Sequence, residues 1–159
     1  MFAQRLKAAP PNGRSLLMFQ MQQFLLRAQA KAAAFGLMER VLQPYLNTQE
    51  AHLVLAQGAH AATDAERARA EAQKALAIKP DSELATLTLA QMLGELDGAQ
   101  KLFAEFLQKY PSAREVRSAY ARLLVEQKQY DPAREQFLLL LKEQPDHPGT
   151  LYALGIMAL

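Results

Sequence analysis

The sequence predicts an all-α protein in which helix pairs repeat along the chain as a solenoid. Apolar residues recur three and four positions apart, while proline and glycine occur only at intervals, and both features are typical of helices. Landmark residues also return after 34 positions, which indicates a repeat array rather than a closed bundle. With 159 residues that are 50% hydrophobic, the chain can form four to five small repeats without disulfides or metal ions.

The second helix of each repeat shows the period most clearly. Pro145 follows Pro111 by 34 residues, and apolar residues precede both prolines at the same offsets. The same offsets are occupied before Pro80 and, one period earlier, before Leu46. The residues at these offsets are Ala34, Met38, Val41, Ala68, Ala72, Ala75, Ala99, Phe103, Phe106, Ala133, Phe137 and Leu140. We expect them to form the buried stripes of four second helices.

The first helix of each repeat has a large apolar residue that is usually followed by a small one. These neighbouring residues are Met21 and Gln22, Leu55 and Ala56, Leu89 and Ala90, Tyr120 and Ala121, and Leu154 and Gly155. A large side chain fills the space toward the second helix, and a small one lets two helix backbones approach closely. We therefore expect the helices to cross most closely at the small residues.

These residues resemble the tetratricopeptide repeat family, whose repeats are helix-turn-helix pairs of 34 residues with small residues at the crossings and proline after the second helix. The resemblance covers nearly the whole chain and implies a right-handed α-solenoid of antiparallel helix pairs. It departs from the family at the fourth place of each repeat, where an aromatic residue is usual. That place holds Met18, His52, Thr86, Arg117 and Leu151 here.

The register divides the chain into successive segments. We expect repeats at 15–48, 49–82, 83–113 and 114–147, residues 1–14 as the end of a preceding repeat, and 148–159 as the first helix of a truncated further one. The repeat at 83–113 is three residues short, and the register places the loss near Gly94, so its first helix should be about one turn shorter. Both ends of the chain look cut from a longer array.

Four pairs of residues have the spacing of helix N-caps. They are Asn47 with Glu50, Thr63 with Glu66, Asp97 with Gln100, and Ser112 with Glu115. Each pair precedes or opens a segment with helical periodicity. We expect the first residue of each pair to cap a helix.

Composition and spacing argue against several classes of function. Cysteine is absent, and the net charge of +2 comes from interspersed charges without a basic stripe, so neither thiol chemistry nor nucleic-acid binding is indicated. His52 and His60 are too far apart to share a metal ion without further ligands, and we expect these imidazoles to be solvated or to line the groove. Carboxylates such as Glu66 and Glu71 are expected on solvent-facing surfaces. The sequence thus predicts no enzyme, no cofactor, no metal site and no membrane span.

The resemblance implies that the first helices line a concave groove. The ninth place of successive repeats holds Gln23, Gln57, Gln91 and Arg122. A row of amides can pair with the backbone of a bound peptide, although Gln is common in this chain and the row can equally arise from composition. The fifth place, one helical turn earlier, holds Phe19, Leu53, Leu87, Ser118 and Tyr152, which would supply apolar contact. We predict a peptide-binding groove from these nine residues.

The function predicted from the sequence is a protein-interaction scaffold that binds a peptide or a partner protein in this groove. Two alternatives remain open, namely a structural module that self-associates through exposed repeat ends, and an accessory subunit that docks and regulates an envelope hydrolase or protease. The composition leaves the compartment open. A likeness to proteobacterial envelope scaffolds, often lipid-anchored, favours the periplasm over the cytoplasm.

Overall fold

The computed structural model describes residues 1–159 and contains ten α-helices, one short 3₁₀ helix and no β-strand. The helices are α1 (Phe2–Ala8), α2 (Pro11–Arg27), α3 (Lys31–Leu42), α4 (Gln49–Ala61), α5 (Ala65–Ile78), α6 (Glu83–Leu93), α7 (Leu96–Lys109), α8 (Arg114–Glu126), α9 (Tyr130–Glu143) and α10 (Pro148–Met157), with the 3₁₀ helix at Gln43–Tyr45. They form an N-terminal unit, Met1–Met92, and a C-terminal unit, Leu93–Leu159. The prediction of an all-α chain is confirmed.

Four helices begin at the first residue expected of a repeat. They are α4, α6, α8 and α10, at residues 49, 83, 114 and 148. Helix α2 differs because it begins at Pro11, four residues before the expected start, with Pro11 in the first turn where its missing N–H is not needed. On these bounds we propose the same division of the chain into repeats.

The turns inside three helix pairs contain a residue in the left-handed conformation. Thr63 and Lys128 adopt φ values of 63° and 59°, and Gly94 has a φ of 69° at the same point of the shortened pair. Helix α6 has 11 residues against 13 in α4 and α8, so it is two residues shorter rather than a full turn. The repeat is three residues short in all, and the third residue is missing from the turn between α6 and α7.

The expected helix caps were wrong in position. Thr48, not Asn47, caps α4 by accepting a hydrogen bond from the N–H of Ala51 at 3.4 Å. Asp64, not Thr63, caps α5 by accepting a hydrogen bond from the N–H of Arg67, and Thr63 adopts the left-handed conformation in the turn before it. Helices α7 and α8 begin without a side-chain cap, so the other two assignments, Asp97 and Ser112, also fail.

The predicted stripes of the second helices form much of the core. Nine of the twelve residues are buried, namely Met38, Ala68, Ala72, Ala75, Ala99, Phe103, Phe106, Ala133 and Phe137. The other three are half-buried. In the C-terminal unit, Ala121 and Leu124 of α8 pack with Ala133 and Phe137 of α9, and residues of α10 cover this cluster.

Helix α4 is the most enclosed helix of the N-terminal unit. Eight of its 13 residues are buried, including Leu55 and Ala56. A Cβ atom added at Gly58 would lie 2.7 Å from Phe35 of α3 and 3.0 Å from Leu25 of α2. Neighbouring helices therefore pack closely against Gly58, a position that the large-small pattern missed. That pattern was also wrong at Gly155, where no atom lies within 4 Å of the added Cβ.

Two helical glycines should respond to alanine substitution with opposite signs. Gly58→Ala forces Phe35 and Leu25 to move, so we expect a loss of about 1–3 kcal/mol in the free energy of unfolding despite the better helix propensity of alanine. Gly36→Ala in α3 has no atom within 4 Å and should stabilise by about 0.5–1 kcal/mol. Urea denaturation followed by circular dichroism measures both, and equal effects at the two sites would contradict the assignment of a close approach at Gly58.

Candidate peptide-binding groove

A groove of about 350 Å³ lies in the N-terminal unit between α2, α4 and α6. It is lined by Ser15, Met18, Phe19, Gln22, Gln49, Glu50, Leu53, Val54, Gln57, Leu84 and Thr88. Its surface is mainly apolar, and Phe19 and Leu84 are 56% and 61% exposed. These two side chains can contact a ligand without any rearrangement of the core.

Three of the predicted groove residues line this groove, namely Phe19, Leu53 and Gln57. Leu53 is also part of the core, because it is 7% exposed and packs with Ala75 and Ala85. Gln23 and Leu87 are half-buried and do not line the groove, where Gln22, Leu84 and Thr88 are found instead. The groove lies between neighbouring helices, so each helix lines it with the side chains that face its neighbour. These side chains do not occupy the same place in every repeat.

The predicted row of glutamines contains one direct contact. The side-chain N–H of Gln57 donates to the side-chain oxygen of Gln91 at 3.3 Å, and the two residues are 34 positions apart. Each amide keeps one group for other partners, namely the oxygen of Gln57 and the NH₂ of Gln91. Gln91 is exposed, so this pair is accessible to a ligand.

The remaining predicted residues belong to the C-terminal unit. Ser118 lines a small depression of about 120 Å³ together with Arg114, Glu115 and His147. The guanidinium of Arg122 donates to the carbonyl of Ser118 at 3.4 Å, and Tyr152 is 72% exposed. Arg122 and Tyr152 do not line that depression.

The comparison with protein families gives one match, in which the tetratricopeptide repeat model covers residues 90–154. The segment 90–154 carries the tetratricopeptide repeat pattern. The resemblance found in the sequence is therefore confirmed. No protein of curated function matches the chain at a significant level.

Several solved structures share this tetratricopeptide fold. The tetratricopeptide protein TTC0263 of Thermus thermophilus is 18% identical with a TM-score of 0.69, over 99% of this chain and 88% of that one. PilF of Pseudomonas aeruginosa is 19% identical with a TM-score of 0.66, over 90% and 67% of the two chains. A structure of Naa15/Naa10 bound to HypK-THB is 19% identical with a TM-score of 0.63, over 88% and 22%. The predicted α-solenoid class is confirmed.

A buried polar cluster occupies the fourth place of the repeat that begins at residue 49. His52 is 6% exposed and Glu71 is 1% exposed, and the ring Nδ1 lies 2.6 Å from a carboxylate oxygen of Glu71. The ring Nε2 lies 2.9 Å from the carbonyl oxygen of Leu46. Both ring nitrogens face oxygen atoms of the protein, so both are engaged in the interior.

Glu71 is the centre of this cluster. Arg67 and Lys74 donate to its second oxygen at 2.7 and 3.1 Å, and Arg67 also contacts Glu39 at 2.6 Å. Burial acts to raise the pKa of Glu71, but the hydrogen bonds from His52, Lys74 and Arg67 outweigh it and hold that pKa below its ordinary value. Burial likewise opposes the charge of Arg67, and its contacts with Glu71 and Glu39 still leave its pKa raised.

Two expectations from the sequence are corrected by this cluster. His52 is neither solvated nor groove-lining, and Glu71 does not face solvent, because each side chain satisfies the other in the interior. His60 is exposed, as expected. Every polar atom of His52 and Glu71 that could act on a substrate is engaged by the protein, which suits a structural role rather than catalysis.

The repeat that begins at residue 114 repeats this arrangement with different side chains. Arg117 occupies the fourth place and donates to the side-chain oxygen of Gln136 and, at 2.7 Å, to the carbonyl of Pro111. The sequence separations of 19 and 6 residues equal those from His52 to Glu71 and to Leu46. A polar clamp, defined here as this pair of contacts, thus replaces the usual aromatic side chain in two repeats.

Other site classes leave no trace in the structure. No group of three or more His, Cys, Asp or Glu side chains is placed to hold a metal ion. None of the helices combines the length and the apolar character needed to cross a bilayer. The apolar groove of the N-terminal unit is therefore the site that the geometry favours for a ligand.

Removal of the Glu71 carboxylate should destabilise the fold in a pH-dependent way. Glu71→Ala leaves the buried ring of His52 and two partly exposed cations without their shared acceptor, so we expect a loss of about 3 kcal/mol in the free energy of unfolding at pH 7. Because the pKa of Glu71 is lower in the folded state, its contribution is complete above the ordinary pKa of 4.5 and is lost as the pH falls below that value. Denaturation curves from pH 7 to pH 3 measure this effect.

The matched control is Glu66→Ala, which removes an exposed carboxylate from the first turn of the same helix. Its loss should be about 0.5 kcal/mol, the size of a helix-dipole contribution. The structural assignment is wrong if Glu71→Ala and Glu66→Ala cost the same, or if Glu71→Ala keeps the full pH dependence of the wild type below pH 4.5.

Proposed function

We propose that this chain is a protein-interaction scaffold and that the groove between α2, α4 and α6 binds a peptide segment of a partner protein. Tetratricopeptide folds are generally interaction scaffolds and typically lack enzymatic activity. One structure of similar fold is of Naa15/Naa10 bound to HypK-THB. The observation that carries the proposal is the apolar groove itself, whose volume of about 350 Å³ falls within the range of about 300–1,000 Å³ that is usual for ligand sites.

The groove offers two kinds of contact to an extended or helical peptide. Phe19 and Leu84 provide an exposed apolar surface above the buried Met18, Leu53 and Val54, and one large peptide side chain gains about 1.5–3 kcal/mol by burial against it. The oxygen of Gln57 and the NH₂ of Gln91 can pair with a peptide N–H and carbonyl at its edge. Such backbone pairing makes few demands on the peptide sequence.

The polar groups of the groove favour a peptide that carries hydrogen-bond donors. Glu50 is the charged side chain among the lining residues, and the structure shows no ion pair for it. The side-chain oxygen of Gln49, another lining residue, is buried without a hydrogen-bond partner. Both groups accept hydrogen bonds, so a peptide that carries Lys or Arg beside its apolar anchor suits the groove better than an acidic one.

A peptide selection on the purified chain tests this function. We expect phage-displayed random peptides to yield binders with an apolar anchor and a nearby basic residue, and with dissociation constants of about 1–100 μM. Phe19→Ala and Leu84→Ala should each weaken binding about tenfold because both exposed side chains lose contact with the anchor. Gln57→Ala combined with Gln91→Ala should weaken it about fivefold. Isothermal titration calorimetry measures each affinity.

Leu16→Ala is the matched control, because Leu16 is on the same helix as Phe19 and is 61% exposed but does not line the groove. It should leave the affinity unchanged. Selected peptides that bind Phe19→Ala and Leu84→Ala as tightly as the wild type would place the binding surface elsewhere. A selection that returns no peptide tighter than about 1 mM would sink the proposal of peptide binding.

A further inference from the structure

Helix α9 in the C-terminal unit carries an apolar face that no other helix of this unit covers. Leu138 and Leu139 are 48% and 39% exposed, and Glu135 and Lys142 flank them in a shallow depression. The four residues follow the i, i+3, i+4, i+7 spacing of one helical stripe. The structure shows no ion pair for either charged residue, in contrast to Arg134 and Glu143 on the same helix.

This face is on the outer side of α9. At about 100° per residue, its centre is about 170° around the helix axis from Ala133 and Phe137. Those two residues are the ones that pack in the cluster covered by α10. Helices α8 and α10 therefore pack on the opposite side of α9, and they leave this outer face uncovered.

The order of charges along the face is self-complementary. Glu135 precedes the two leucines by the same interval as Lys142 follows them, so the face is centred between Leu138 and Leu139. A two-fold axis through that centre places an identical helix antiparallel to α9. It brings Glu135 of each copy to Lys142 of the other and gathers four leucines at the centre. This is the isologous contact that a symmetric homodimer requires.

We propose that the outer face of α9 is a docking surface for a second copy of this chain. The charge order selects that occupant, since an antiparallel copy neutralises both charges at once. The contact is one helix against one helix, which places it below the roughly 1,200 Å² of a standard stable interface. The dimer is consequently weak, reversible and dependent on protein concentration. It uses a helix face rather than the exposed repeat ends that the sequence suggested.

Charge reversal tests the proposal through its symmetry. Glu135→Lys gives two lysines at the paired positions and Lys142→Glu gives two glutamates, so each single variant should dimerise at least about tenfold more weakly than the wild type. An equimolar mixture of the two variants should regain dimers, now as heterodimers. The double variant, Glu135→Lys with Lys142→Glu, should regain homodimers. Sedimentation velocity over a concentration series measures all four cases.

Two further variants separate this surface from general effects. Leu138→Glu should leave a monomer, and its circular dichroism should match the wild type because the side chain faces outward. Glu126→Lys on α8 reverses an exposed charge elsewhere and should leave dimerisation unchanged. A wild type that stays monomeric up to about 1 mM overturns the proposal. So does a dimer that survives the single charge reversals, or one that the mixture and the double variant fail to restore.

Discussion

The N-terminal unit depends on the close packing of helix α4 against its neighbours. With 13 residues, α4 is close to the length of about 12–15 residues below which a helix alone is marginal in water, so its stability must come from packing. Eight of its residues are buried, and Gly58 lets Leu25 and Phe35 approach the backbone. The same helix contributes Leu53, Val54 and Gln57 to the groove. The shape of the groove thus depends on the contacts that Leu25 and Phe35 make with α4.

The polar clamps show how one packing problem has two chemical solutions. A large aromatic side chain at the fourth place would fill the space between two helices by apolar burial alone. His52 instead connects α4 to Glu71 on α5 and to the carbonyl of Leu46, and Arg117 makes the matching contacts on α8. Burying such groups is favourable only when every polar atom has a partner, and Lys74 and Arg67 complete the set around Glu71. The clamps therefore fill the space between two helices and also require each hydrogen-bond partner to lie at a defined position.

The sequence predicts the fold of this chain well because its period records packing that recurs in every repeat. Ala72 and Phe137, for example, are buried at the offset that the prolines define. The pattern predicts less where one contact departs from the average. Gly58, which lies outside the large-small pattern, is identified only once Phe35 is placed against it. Two polar residues far apart in sequence, His52 and Glu71, carry no local signal of their pairing, and their burial became visible only in the folded chain.

The residues of the candidate groove were likewise predicted only in part from the sequence. Phe19, Leu53 and Gln57 were predicted from their places in the repeats and line the groove, and Gln57 meets Gln91 as successive places of a row should. Leu84, Thr88 and Gln22 were missed because the groove exposes the edges of α2, α4 and α6 that face one another, and these edges do not fall at the same place of every repeat.

The clamp of His52 also bears on how such arrays are assembled. Both of its side-chain members, His52 and Glu71, belong to the segment 49–82, and its outside acceptor is a main-chain carbonyl. A main-chain carbonyl is available whatever side chain stands at that position. When such a helix pair is duplicated or moved, it carries both buried side chains of the clamp, His52 and Glu71, with it. The clamp itself needs only a turn of the right shape from the preceding segment, whereas the contact of Arg67 with Glu39 and the packing at Gly58 still depend on side chains of that segment.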